Sequence, residues 1–493
     1  MLFKSYLFIF ISLSSCRSFL FPKPAIPNVF LEGPFAPVKE QKSLPCGTSG
    51  TIPQVVRDSI FTRVGPNPEF KPPGGYHLFD GDGMVHWVSF NESSGASYHN
   101  RYISTEKLKT EERAGKSLFI NLGEFSHPFA LLKIAYSEFL KFLMFIPNIP
   151  RSHMSVANTN VIHHGSKTLA LCESGLPYRI EYSADNMETI GVESFDGFLK
   201  EFFTAHPKID PRTGKMYGFC SGGASKIDIC VFDRDGVPEY SFPVQMREPT
   251  LMHDFSITSD HVIILDMPLM YNMGLLCQGK IPVELDSSQP SRFGVLDIDD
   301  RTGSSLKWYE VPGEPFMISH VVNSYYESGV IHLITCDMDR LSLKDVCSSV
   351  SILRKTTIDT STGVVKRTPL IGHTEKSLDF PVINESWTGA KNKYAYVTEF
   401  KNGKPGDILK INLIIGEIVG SILAKPGEYT GECSFVSDGP GEDKGYIMSF
   451  VTCNDDLESK LCIWDARNMK EVGSVMIPSR IPLGFHSCVL KNA

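Results

Sequence analysis

The sequence lacks three features that would narrow its function at once. It has no Cys-x-x-Cys pair; twelve cysteines are dispersed irregularly over 493 residues, which argues against ligation by sulfur and against a compact disulfide framework. They read as reduced, mostly buried thiols. It has no long basic run, and a formal charge of -8 with a pI near 6.0 offers no electrostatic footprint for nucleic acid. It has no apolar run long enough to span a bilayer, since the run from Tyr6 to Leu13 stops short and a spanning helix needs about 20 residues.

A hydrophobic content of 42% does suffice for one large core, and regular turn chemistry favours one big β domain over several small ones. Residues 1–21 carry one Lys, the short apolar run and a small-residue cluster around Cys16, the pattern of a signal or targeting segment. Phe19 directly after that cluster resembles the entry signal of plastids reached through the endoplasmic reticulum, with the secretory pathway or a peripheral membrane as alternatives. Sequons at Asn91 and Asn384 are candidate glycan acceptors on such a route.

Along the body, turn clusters recur at Asp210–Gly214, Asp233–Gly236, Asp300–Gly303, Asp359–Gly363 and Asp465–Asn468, each flanked by strand-like apolar runs. Gly and Asn supply the positive φ that tight hairpins need. Similar hairpins without strict repeat identity point to an all-β chain, a β-propeller or an array of sandwiches. Asp80-Gly-Asp-Gly83 lacks the remaining ligand positions of an EF-hand and reads as a tight turn.

One stretch departs from this pattern. From Phe129 to Phe145 the polar positions Lys133, Ser137 and Lys141 fall four apart while nearly all else is apolar, which predicts a helix with one polar stripe. It is too short to cross a bilayer, so it lies at a membrane interface or caps a core. In the first case Phe129, Leu132, Phe139, Phe142 and Phe145 are the docking residues.

Four histidines stand in distinctive contexts: His206 in Ala-His-Pro, His253 in Met-His-Asp-Phe, His320 in Ser-His-Val-Val-Asn and His486 in Gly-Phe-His. Ligands so dispersed cannot form a local metal loop, and only a closed many-stranded scaffold brings them to one point. Imidazole suits Fe, Zn, Cu and Ni. Ligating histidines usually give their second ring nitrogen to a carboxylate; Glu173, Asp379 and Glu432, acids in largely apolar surroundings, are the candidates. His163, His164, His261, His332 and His373 lack such flanks.

These residues resemble the carotenoid oxygenase family, the carotenoid cleavage dioxygenases. The likeness runs from Asn28-Val-Phe-Leu-Glu-Gly-Pro-Phe-Ala-Pro-Val38 through Arg63-Val-Gly-Pro-Asn-Pro68 and Tyr76-His-Leu-Phe-Asp-Gly-Asp-Gly-Met-Val-His86 to Gly484-Phe-His486. It implies a seven-bladed propeller with a helical and loop cap over its top face. The expected layout is a targeting segment at 1–21, an N-terminal arm at 22–50 and a catalytic propeller at 51–493 with an apolar helical insert at about 126–150. It further implies Fe(II) held by His206, His253, His320 and His486, with Glu173 and Glu432 behind them. Asp379 stands where the family usually has Glu, so its shorter arm is expected to reach its histidine less well or through water. The implied reaction adds dioxygen across a conjugated double bond of a carotenoid or apocarotenoid, giving two carbonyl fragments. Family members that cleave stilbenes or isomerise retinoids leave other chemistry open, as does a noncatalytic apocarotenoid-binding propeller.

Overall fold

Short runs of β-branched and aromatic residues, punctuated by Asp-led turns, fold into antiparallel sheets throughout. The computed structural model describes residues 28–491, except 73, 92–94, 128–129, 184–185, 224, 273, 276–279, 340–348 and 454–457. The expected segment 1–21 therefore lies outside the described residues.

Five separate sheets of four or five strands follow one another in sequence, spanning 160–192, 202–245, 256–310, 317–369 and 377–422. A two-stranded hairpin, Leu269–Tyr271 with Val283–Leu285, is inserted in the third. The remaining strands form one ten-stranded sheet. Where separate blades were expected throughout, this sheet is continuous because Gln41–Gly50 pairs with Gly95–Tyr102 through its first half and with Lys470–Ile477 through its second. The last strand, Ser487–Lys491, adds to Ser59–Pro66 on the other side, so both ends of the described chain share this sheet.

The core lies between neighbouring sheets. Leu169 and Leu171 pack with Phe203 and Phe232. Phe219 and Ile229 meet Phe255 and Ile264, and Ile263 and Phe293 meet Ile331 and Leu333. Ile334 and Leu353 meet Val397 and Leu409, and Ile408 meets Ile447 and Trp464. Phe61 and Tyr98 pack on Phe450 and Leu461, and Val85 and Trp87 on Val161 and Tyr178. Each sheet thus buries both faces against a neighbour, and the succession returns to its start, which makes a propeller-like ring.

The hairpin turns lie where the Asp-led clusters stand, with Gly214, Gly236, Gly303 and Gly363 at φ of 75 to 80°. In the last of them Met469, at φ 60°, takes the left-handed position expected of Asn468. Asn384 is buried and its amide donates to the Glu442 carbonyl oxygen, so it is no glycan acceptor in the folded chain; the Asn91 side chain lies outside the described residues.

Three α-helices are present among the described residues: α1 (Gln54–Arg57), α2 (Glu106–Ala114) and α3 (Ala130–Phe142). The Asp80–Gly83 run ties α2 and the 3-10 turn Leu122–Ser126 that precedes α3 to the sheets. Asp80 accepts from the Leu122 and Gly123 backbone N–H groups, and Asp82 pairs with the buried Lys107 of α2 at 3.0 Å. The polar stripe of α3 turns inward: Ser137 is 5% exposed, and Lys133 reaches the buried Glu124 at 2.6 Å. Phe142 and Met144 stand 81% and 89% exposed on the outside. Phe129, expected as part of this face, lies outside the described residues.

Candidate metal centre

Four different parts of the ring deliver the four histidines to one point. His206 sits between the strands Phe202–Phe203 and Lys208–Ile209, and His253 precedes Ser256–Ile257. His320 lies within Met317–Glu327, and His486 immediately precedes Ser487–Lys491. The strand of His320 shifts register on both sides of it, and such bulges re-aim a side chain.

One ring nitrogen from each histidine lies within 4.8 Å of all the others. His206 Nε2 is 3.1 Å from His253 Nε2, which is 3.3 Å from His320 Nε2. Imidazole–metal bonds of about 2.1 Å at right angles would separate two nitrogens by about 3.0 Å, so the spacing suits four ligands of one ion.

The outer nitrogens show why such a cluster suits a cation. His253 Nδ1 lies 2.5 Å from Glu173, His320 Nδ1 2.6 Å from Asp379 and His486 Nδ1 2.8 Å from Glu432. Donation from Nδ1 leaves Nε2 as a bare lone pair. Three inward lone pairs beside His206 repel one another unless a positive charge sits among them. The donor set therefore fits a metal ion that prefers nitrogen.

Protonation is graded around the site. Burial and the neighbouring imidazoles hold His206 well below the ordinary histidine range, and burial holds His320 below it against the pull of Asp379. Burial also opposes protonation of His253, but Glu173 outweighs it and raises that histidine. Burial works against ionisation of Glu173 and Asp379, yet the adjoining imidazoles bring both below their usual range.

Asp379 was expected to fall short of its histidine. It touches His320 directly, because the strand Ser377–Val382 shifts register after Asp379 and Phe380 takes φ 51°, moving the carboxylate forward. Asp379 also accepts from Ser319 Oγ and the Phe380 N–H, both at 2.8 Å. Ser319 was missed from sequence although it adjoins His320. Phe380 was missed as well; its ring packs 5.7 Å from His320 and 5.4 Å from His486. A cleft beside Glu173 is lined by Phe202, Phe203, Met252 and Tyr271 among others, none of which carried a sequence signal. The five histidines set aside stay apart from the cluster; His164, for example, bonds the Asp233 carbonyl oxygen at 2.7 Å.

Comparison with known proteins follows the same lines. The family model described as retinal pigment epithelial membrane protein matches residues 35–489. The chain is 33% identical to a carotenoid 9,10(9',10')-cleavage dioxygenase 1 of Pisum sativum, over 95% of this chain and 91% of that protein. It is 32% identical to a chloroplastic 9-cis-epoxycarotenoid dioxygenase of Arabidopsis thaliana, over 94% and 82%. Among solved structures, the lignostilbene dioxygenase of Pseudomonas brassicacearum superposes with a TM-score of 0.80 at 22% identity, covering 96% of this chain and all of that one. A cobalt-substituted apocarotenoid oxygenase of Synechocystis gives 0.78 at 22%, covering 92% and 96%.

Proposed function

The chain belongs to the carotenoid oxygenase family, and from that membership we propose that it is an Fe(II)-dependent dioxygenase that cleaves one conjugated double bond of a carotenoid or apocarotenoid into two carbonyl products. The convergence of His206, His253, His320 and His486 within 4.8 Å carries this reading.

These four imidazoles would hold the ion through Nε2, oriented by Glu173, Asp379 and Glu432. Fe(II), when bound, supplies a reducing centre with coordination positions left for dioxygen or substrate. The chain's own contribution is placement and exclusion of water. Four neutral imidazoles with their carboxylates one step back would leave the charge of a bound cation uncancelled by direct ligation. Phe202, Phe203 and Met252 lie with Glu173, Thr204 and Ser221 along a small cleft beside the histidines. Phe380 closes the space between His320 and His486.

We read the ring as seven blades, counting the ten-stranded sheet as two joined by Gln41–Gly50. In this layout residues 1–21 are a targeting segment, 22–50 an arm whose last ten residues make that join, and 51–493 the catalytic propeller with its insert at about 126–150. Relatives named as chloroplastic support delivery to a plastid. The outward face of α3 and the turn after it, with Leu132, Phe139, Phe142 and Phe145 exposed, supports peripheral docking on a lipid surface from which an insoluble substrate enters. No helix among the described residues is long and apolar enough to cross a membrane.

The test is expression with Fe(II) in carotenoid-accumulating cells, beside a His253→Ala variant, with pigments and volatiles analysed by mass spectrometry. Carbonyl fragments from the unaltered protein alone are expected, and their masses identify the bond cut. Isomers without smaller fragments would replace cleavage by isomerisation, and unchanged pigments in both cultures would overturn the reading.

A further inference from the structure

Behind the three carboxylates that face imidazoles lies a fourth acid that touches none of them. Asp254, next to His253, has a side chain only 1% exposed. Its Oδ2 accepts the Val321 N–H at 2.8 Å, one residue beyond His320. Its Oδ1 lies 2.7 Å from Lys208 Nζ, two residues beyond His206, and accepts the Phe255 N–H at 2.7 Å. One buried carboxylate thus joins the segments that carry His206, His253 and His320, which come from three separate sheets.

We propose that Asp254 is a positioning residue for the metal centre, locking three of the four imidazole-bearing segments in mutual register through Lys208 and the Val321 amide. The inference rests on the reading of the four histidines as metal ligands. A carboxylate buried among apolar side chains is costly unless its charge and lone pairs are satisfied, and here both oxygens are engaged by groups fixed to the neighbouring ligand segments. Other bonds between the same elements add to the tie: Ser256 Oγ and Ser324 Oγ are 2.8 Å apart, and Ser324 Oγ donates to the Ile257 carbonyl oxygen. Those serines join only the His253 and His320 segments. Asp254 also reaches that of His206, through Lys208. Lys208 Nζ sits 6.0 Å from the Phe255 ring centroid, so the pair is packed from the side as well as bonded.

Asp254→Asn keeps the shape and can still accept from Val321, but it loses the charge that holds Lys208. Lys208→Met removes the same bond from the other end. Both are compared with the unaltered protein in metal-free form by titration with Co(II), following the ligand-field absorption and the affinity, and by thermal unfolding without metal. Changes to outer partners of metal ligands typically cost about 10- to 100-fold in affinity. The expected result is a loss of that size with an altered Co(II) spectrum in both variants. Lys107→Met serves as the control, because it breaks buried ion pairs with Asp82 and Glu111 that involve none of the four histidine-bearing segments and should lower the melting temperature while leaving the Co(II) spectrum unchanged. If Asp254→Asn and Lys208→Met bind Co(II) like the unaltered protein, or merely melt earlier as Lys107→Met does, the positioning role is overturned while the metal centre stands. If the unaltered protein itself fails to bind Co(II), the four-imidazole reading falls and takes this inference with it.

Discussion

At the scale of single residues, second ring nitrogens decide what the histidines can do. Asp379 receives His320 Nδ1 and is itself held by Ser319 and the Phe380 amide, so it sets both the tautomer and the angle of that ring. Replacing Asp379 with Ala should reduce bound metal and cleavage by about 10- to 100-fold with the protein still folded, as read by metal analysis and circular dichroism; wild-type metal content would remove Asp379 from this role. The buried thiols among the described residues, Cys220, Cys230, Cys336, Cys433 and Cys462, behave oppositely, as inert core. Burial pushes Cys462 up to about 12, so at pH 8 roughly one molecule in ten thousand carries the thiolate. Iodoacetamide should therefore leave Cys462 unmodified in the native protein and label it in urea, checked by peptide mass spectrometry. The convergence of the four histidines was legible because each has unusual neighbours, and the dispersed cysteines because no pairing spacing exists. Ser319, Asp254 and Lys208 were not, since their importance comes from contacts across 60 or more residues for the first and across three sheets for the others. The reach of Asp379 was misjudged because side-chain length was weighed without the bulge that shifts its backbone.

At the scale of elements, α3 shows how a pattern can be read correctly and its orientation left open. Spacing placed Lys133, Ser137 and Lys141 on one face but could not say which face met the protein. The answer lies in remote partners: Glu124 waits buried for Lys133, and Lys141 lies over the Phe119 ring with its ammonium 5.7 Å from the centroid. With Lys133 and Ser137 turned inward and only Glu138, its side chain 61% exposed, left as an acid on the outside, the helix and the turn after it offer Leu131, Leu132, Phe139, Phe142 and Phe145 to the outside, an arrangement that costs free energy in water and gains it at a lipid surface. Phe142→Asp and Phe145→Asp are expected to lower liposome flotation and activity on lipid-dispersed substrate while sparing detergent-dissolved substrate. Flotation equal to the unaltered protein would assign the face to another occupant. Glu124→Ala should act differently, freeing Lys133 and loosening α3 without changing its apolar surface, which faster amide hydrogen exchange over 130–142 would register.

For the whole molecule, ring closure and the proposed metal site are one problem. Four histidines on four segments meet only if the succession of sheets returns to its start, and the same short stretch of chain does both jobs at the end: Gly484 to His486 runs against Val64 and Gly65, then enters the closing strand. Phe485 N–H donates to the Val64 carbonyl oxygen at 2.9 Å, Val64 N–H to that of His486 at 3.1 Å, and His486 N–H to that of Thr159 at 3.3 Å. The approach is so close that a Cβ on Gly484 would lie 2.9 Å from the Val64 oxygen and 3.0 Å from the Nε of the buried Arg63, and a Cβ on Gly65 would lie 2.6 Å from the Gly484 Cα. Two facing glycines are therefore what lets the His486 segment seat deeply enough for its imidazole to join the other three. Adding one methyl group must push backbone from backbone, at a cost of about 1–3 kcal/mol, and the displacement falls on the residue pair next to His486. Gly484→Ala should thus lower the melting temperature and reduce bound metal together, with metal loss persisting at temperatures where the variant is fully folded. A variant that melts early yet binds metal normally would separate closure from coordination.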